Sequence, residues 1–262
     1  MKTLKTAMAL LLAGMTAQAA AVGGMVDVNV YDRSEGRNLP VYWHEGRAYV
    51  VGKPGNEYQI AVRSRQGDEV LAVMSVDGVN VVTGETANPQ QSGYVLAPWR
   101  ALEVKGWRKD LSRTAAFYFT SLPDSYAART GRPDNVGALG VALFRKKQEP
   151  QPQPYSNIAP RSEAPASPLA RDKSSAAGAV AEQNEARAVE RQDRLGTGHG
   201  RNEASYARQV AFERASSEPA ETVVIYYDSY RNLLARGIIP RATTPRQPAP
   251  NPFPGFVADP PA

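Results

Sequence analysis

The stretch Val70–Val76, VLAVMSV, followed at once by Asp77-Gly78, constrains the fold more than any other part of the chain. In an extended backbone alternate side chains point to opposite faces. Val70, Ala72, Met74 and Val76 therefore share one face, and Leu71 and Val73 the other. Both faces are apolar, which predicts a central strand covered on both sides. Asp77-Gly78 supplies the two positive-φ positions of a tight hairpin turn, and Val79, Val81 and Val82 are expected to return as the partner strand.

Period-two patterns recur on either side of this hairpin. Val26, Val28 and Val30 alternate with polar residues, Pro40–Trp43 and Arg47–Val51 flank Glu45-Gly46 as an expected hairpin, and Tyr58, Ile60 and Val62 alternate again. Gly93–Leu96, Leu102–Trp107, Ala115–Thr120 and Val136–Phe144 continue the series. One short helix is expected over Pro123–Arg129, with Pro123 at a first helical position and Gly131 just past the end. About nine short strands punctuated by turn residues predict a mainly β chain, an antiparallel β-sandwich or open barrel over residues 22–147.

The composition then changes. Residues 148–194 open with QEPQPQP and continue rich in Ala, Ser, Glu and Arg with almost no large apolar side chain, the pattern of a disordered linker. Leu195–Gly200 (LGTGHG) is expected to be a glycine-rich turn. Tyr206–Ala215 and Thr222–Tyr227 are expected to pair as a hairpin, followed by a helix over Ser229–Ala235 that is capped by Asp228 and stopped at Gly237. This strand-strand-helix block, residues 195–239, is too short to build its own core, so docking on the sandwich is expected. Residues 240–262 form a proline-rich tail, expected to be disordered.

Met1–Ala21 has the form of a signal peptide: Lys2 and Lys5, the apolar run Ala7–Ala13, then Ala17-Gln18-Ala19 and Ala19-Ala20-Ala21 as small-x-small cleavage patterns. The run is short of the roughly 20 residues that span a bilayer, and no later segment is long and apolar enough to be a membrane helix. The expected location is therefore outside the cytoplasm, the periplasm first, with outer-membrane association or full secretion as alternatives. Loss of Lys2 and Lys5 lowers the formal charge from +5 to +3. That charge is weak and interspersed, unlike the basic stripe of a nucleic-acid binder. The chain has no cysteine, which excludes disulfides, thiol nucleophiles, zinc-thiolate sites and iron–sulfur clusters.

The chemistry-bearing residues are few. His44 and His199 are the only histidines; neither sits among carboxylates at ligand spacing, so no metal or cofactor is expected. No Gly-x-Ser-x-Gly elbow occurs. His199 lies between Gly198 and Gly200 with Arg201 next, a setting in which backbone amides can cradle an anion, although no strand-loop-helix context accompanies it. The segment Asp124–Asp134 gathers Tyr126, Arg129 and Arg132 between two acids, and loops on a rigid sandwich carry binding surfaces. The bland alternative is that its Arg and Asp side chains pair with one another. Trp43, Trp99 and Trp107 are either an aromatic platform for sugar or peptide or ordinary sheet packing. Asp77 is accounted for by its turn. The expected binding residues are Tyr126, Arg129, Arg132 and His199, with no catalytic residue.

Several blocks, Ser75–Val81, Ser92–Leu96, Gly106–Lys109, Ala115–Thr120, Pro123–Pro133 and Asn135–Gly137, together with Leu195–Arg201 and Tyr226–Leu233, resemble an uncharacterised family of exported proteobacterial proteins. The resemblance implies export and a β-rich fold and no substrate. The expected function is that of an exported, non-enzymatic envelope protein, structural or interacting with another envelope protein. A binding module for envelope glycan or an anionic polymer is the alternative, followed by a hydrolase with His199 as its base.

Overall fold

The computed structural model describes residues 21–148 and 194–240. Residues 1–20 of the expected leader, nearly all of the expected linker and the tail beyond Pro240 lie outside the described residues. Two sheets stack face to face as a sandwich, and neither closes into a barrel. The first contains β1 (Val26–Asp32), β2 (Arg37–Asn38), β5 (Glu57–Ser64), β9 (Ala101–Val104), β10 (Gly106–Arg108), β11 (Arg113–Ser121) and β13 (Leu195–Ala204). The second contains β3 (Val41–His44), β4 (Arg47–Gly52), β6 (Val70–Val76), β7 (Val79–Asn80), β8 (Tyr94–Leu96), β12 (Ala138–Arg145) and β14 (Glu221–Ser229).

Alternation decides what goes inside. Val26, Val28 and Val30 of β1 and Tyr58, Ile60 and Val62 of β5 point inward and are fully buried, facing Val70, Met74 and Val76 of β6. Strand β6 is apolar on both faces because it is covered twice. Its other face carries Leu71 and Val73, which pack with Phe144 and with Phe212 from the covering segment 205–215. The turn after it has φ of 54° at Asp77 and 72° at Gly78, as the hairpin requires. Strand β7 is cut short after Asn80, whose side-chain oxygen accepts from the backbone of Val82 (2.7 Å) and Thr83 (3.1 Å) and turns the chain.

The C-terminal strands depart from expectation. No hairpin joins them, because β13 and β14 lie in opposite sheets. Strand β14 is inserted between β4, to which it runs parallel, and β12, to which it runs antiparallel. TVVIYY is apolar on both faces, and an interior position is the one place that buries both. Val223, Ile225 and Tyr227 enter the main core, while Tyr226 on the opposite face packs with Tyr42, Tyr49 and Val51 under Leu233, Ile238 and Ile239. Residues 206–213 form no strand. Tyr206 and Val210 are exposed, and only Phe212 finds apolar cover.

The expected glycine-rich turn at Leu195–Gly200 is instead the start of strand β13. Its glycines sit at every second position and so occupy one face, where a Cβ on Gly198 would lie 2.2 Å from the Tyr118 ring and one on Gly196 2.6 Å from Ser125 Cβ. Glycine here permits close packing across a strand. Two helical expectations also shift. Pro123–Arg129 splits at the extended residue Ser125 into a 3₁₀ turn, Leu122–Asp124, and α1, Tyr126–Arg129. The cap of α2 (Tyr230–Ala235) is Ser229, whose Oγ accepts from Asn232 N, while Asp228 is buried and accepts from Leu195 N at 3.2 Å.

Candidate functional site

Strands β10 and β13 and helix α1 meet at one corner of the sandwich and bring three rings together. Trp107 lies 4.8 Å from Tyr126 and stacks nearly parallel to His199, with 6.3 Å between centroids and 9° between planes. Tyr126 and His199 are 5.4 Å apart. Behind them Phe117 meets the Trp107 ring edge-on at 4.8 Å, continuing into a core column with Tyr58 and Phe119. Trp107 is buried, and its Nε1–H has no hydrogen-bond partner, an unmade bond in a position where most indoles find one.

Cations border these rings. The Arg132 guanidinium sits 5.9 Å from the centre of the Tyr126 ring, held there by Thr130 Oγ1 and by the Gly84 carbonyl at 3.1 Å. Burial first, then the charges of Lys109 and Arg129, hold the His199 pKa below its ordinary value, so its imidazole is neutral at pH 7. Among the described residues none of Lys109, Arg129 and Arg132 has a carboxylate partner. Asp124 accepts from Ser121 Oγ, and Asp110 is taken by Ser112 and Arg113, which keep its carboxyl well below the usual range. The loop therefore does not neutralise itself.

All four expected residues, Tyr126, Arg129, Arg132 and His199, fall in this corner. The sequence reading missed Trp107 as their common base and Lys109 as a contributor to the field at His199. The three tryptophans form no joint platform: Trp107 is buried, Trp43 is exposed on the edge strand β3, and Trp99 is exposed in the β8–β9 loop at φ 59°. His44 ends strand β3, half-buried, with its Nε2 3.8 Å from Glu45. Among the described residues no carboxylate pairs with His199, and the charges that act on it are the cations Lys109 and Arg129; nor does any cluster of three or more His, Asp or Glu among them suit a metal ion.

A second polar cluster is wholly buried, and here Asp77 does more than turn the chain. Its Oδ1 accepts from Gly137 N (2.9 Å) and Tyr227 OH (2.6 Å), and its Oδ2 from Thr197 N (2.8 Å). Tyr227 gives its proton to Asp77, so its oxygen is left to accept from Thr197 Oγ1 (2.6 Å), which in turn accepts from Tyr58 OH (2.6 Å). Burial pushes the Asp77 carboxyl up to about 6 against the pull of these donors, and burial with the Asp77 charge pushes both tyrosines well up.

Comparison of the chain with protein-family models, curated proteins and solved structures gives no match.

Proposed function

We propose that the protein is an exported, non-enzymatic envelope module that holds an anionic group at the corner formed by Trp107, Tyr126 and His199. One observation carries this reading: three cations with no acidic partner among the described residues border a partly open aromatic surface. Some cations elsewhere are internally balanced, as in Arg33 with Glu57 and Glu203 or Arg201 with the same two acids; what sets the corner apart is that its unpaired cations are grouped beside aromatic rings. An anionic polymer would supply the missing carboxylate, phosphate or sulfate, with Arg129 and Arg132 as its donors. The sequence form of Met1–Ala21 supports placing that polymer in the envelope.

The test is retention of the full-length protein on dextran sulfate over a salt gradient, because exposed contacts to anions are screened by salt. The double variant Arg129→Ala/Arg132→Ala should elute at clearly lower salt than wild type, and a control at Arg63 should not. Equal elution of all three proteins would remove the corner as the anion site. Docking of another envelope protein is the second reading. Its own support is the exposed apolar trio Leu111, Tyr206 and Val210, at 52%, 87% and 50% exposure, in segments joined by the Ala207 N to Leu111 O hydrogen bond.

A further inference from the structure

The outer face of the first sheet carries a feature unrelated to the cationic corner. An open groove of about 580 Å³ is lined by Tyr31, Arg33, Asn38, Gln59, Ala61 and Glu103. The registers explain its shape. Tyr31 is directly opposite both Asn38 on β2 and Gln59 on β5, so these three side chains form one row across three strands. Ala61 stands opposite Glu103 in the next row and leaves the floor low. Three strands at about 4.8 Å spacing give the row a width of roughly 10 Å.

Gln59 is the decisive residue. It sits on the outward face of β5, where a glutamine is ordinarily hydrated, yet it is only 7% exposed. Among the described residues its side-chain amide has no hydrogen-bond partner. The residue is more than nine-tenths buried, while its unpaired amide keeps contact with solvent at the groove it lines, where a ligand group could replace water. The other lining groups define what would pair with it. Asn38 adds a second amide. Arg33 is already neutralised by Glu203, with bonds of 3.1 and 2.8 Å, and by Glu57 at 3.3 Å. Glu103 faces Lys105 at 3.8 Å. The groove therefore offers donors, acceptors and one aromatic ring with little net charge.

We propose that this groove binds an uncharged glycan. Sugar hydroxyls both donate and accept, which matches the two-sided chemistry of Gln59 and Asn38. The Tyr31 ring offers an apolar surface to the C–H face of a pyranose. A ligand bearing a net negative charge would gain nothing from the compensated Arg33 and would be repelled by Glu103. The groove is thus complementary to the corner in chemistry and independent of it in position.

The experiment is binding of the full-length protein to a printed array of neutral and anionic glycans at two salt concentrations. Wild type should retain at least one neutral glycan, with little dependence on salt. Gln59→Leu and Tyr31→Ala should each weaken that retention at least tenfold, while Arg129→Ala/Arg132→Ala should leave it unchanged. Thermal melting guards against misfolding: Gln59→Leu removes no hydrogen bond within the fold, so it should melt close to the wild-type temperature. The proposal is overturned if no neutral glycan is retained, or if Gln59→Leu retains it as well as wild type. Retention of anionic glycans alone, lost with Arg129 and Arg132, would overturn the groove and leave the corner standing.

Discussion

Two polar clusters share strand β13. Thr197 belongs to the buried one and His199, two residues on, to the corner at the surface. In the first, the Asp77 carboxylate meets three donors and the hydroxyls of Tyr58, Thr197 and Tyr227 form a directed chain toward it. In the second, among the described residues, three cations find no acid and a buried indole N–H finds no acceptor. Satisfied polar groups in a core rigidify a fold. Unsatisfied ones at its surface are complementary to something else. The contrast fits an architectural role for Asp77 and the recognition role proposed for the corner, and substitutions should separate the two.

The largest effect is expected at Asp77. Asp77→Ala strands the N–H groups of Gly137 and Thr197 and the hydroxyl of Tyr227, and should cost about 4 kcal/mol in denaturant unfolding. A loss below about 1 kcal/mol would mean that water replaces the carboxylate and that the cluster is not a tie between the sheets. The same group gives the fold a pH dependence. Its folded pKa of about 6 lies above the reference value of 3.8. Its contribution is therefore complete below the unfolded pKa and lost as pH rises through 6, an amount of roughly 3 kcal/mol by linkage. Stability of wild type should rise from pH 7 to pH 4.5 relative to Asp77→Asn, measured by urea midpoints; parallel curves would show that Asp77 does not titrate in this window.

Next in size is Gly198→Ala, which drives a methyl group into the Tyr118 ring and should cost about 2 kcal/mol. Tyr118→Ala in the same chain should recover most of it, since the clash is with that ring. Additive losses would place the strain elsewhere on β13.

These glycines show where the chain was legible and where it was not. Strands with simple alternation, such as Val26–Asp32, and the double-faced run Val70–Val76 stand where their patterns placed them, because burial alone dictates them. The same rule applied to Thr222–Tyr227 gave its two faces correctly but not its partners. Its neighbour β4 lies far back in the sequence, and nothing local encodes that parallel pairing. At Leu195–Gly200 turn chemistry and strand packing both favour glycine, and the deciding signal was the spacing of two at Gly196, Gly198 and Gly200. Tyr126, Arg129, Arg132 and His199 were conspicuous as residue types. Their assembly around Trp107 depends on three elements meeting at a corner, which spacing does not express. Gln59 looked like an ordinary outward position of an alternating strand, and its burial is set by neighbours on other strands.

At the corner, stability should barely respond. Arg129→Ala/Arg132→Ala removes no buried partner and should stay within about 0.5 kcal/mol of wild type. Affinity for dextran sulfate should nevertheless fall about tenfold, as expected for loss of one or two charge-assisted contacts. Destabilisation of about 2 kcal/mol with unchanged affinity would reverse the comparison and make the arginines part of the architecture.

The smallest effect reads the field of the corner directly. Burial contributes most to the lowered His199 pKa, and the charges of Lys109 and Arg129 add to it. Arg129→Ala and Lys109→Ala should therefore each raise the His199 pKa while leaving it below that of a solvent-exposed histidine, because the burial contribution persists. A polyanion bound at the corner should move it the same way, by stabilising the imidazolium. NMR titration of the His199 ring protons measures all three shifts in one experiment, with His44 as the internal control. The sign for the fold is opposite to that of Asp77. A depressed histidine pKa contributes stability that is present above the unfolded value of 6.5 and lost as pH falls through the folded one. His199→Gln should thus enlarge the acid-side stabilisation that Asp77 provides. If neither cation variant moves the His199 resonance, the unpaired charges do not act on the aromatic surface, and the corner loses the electrostatic coupling on which its reading as an anion site depends.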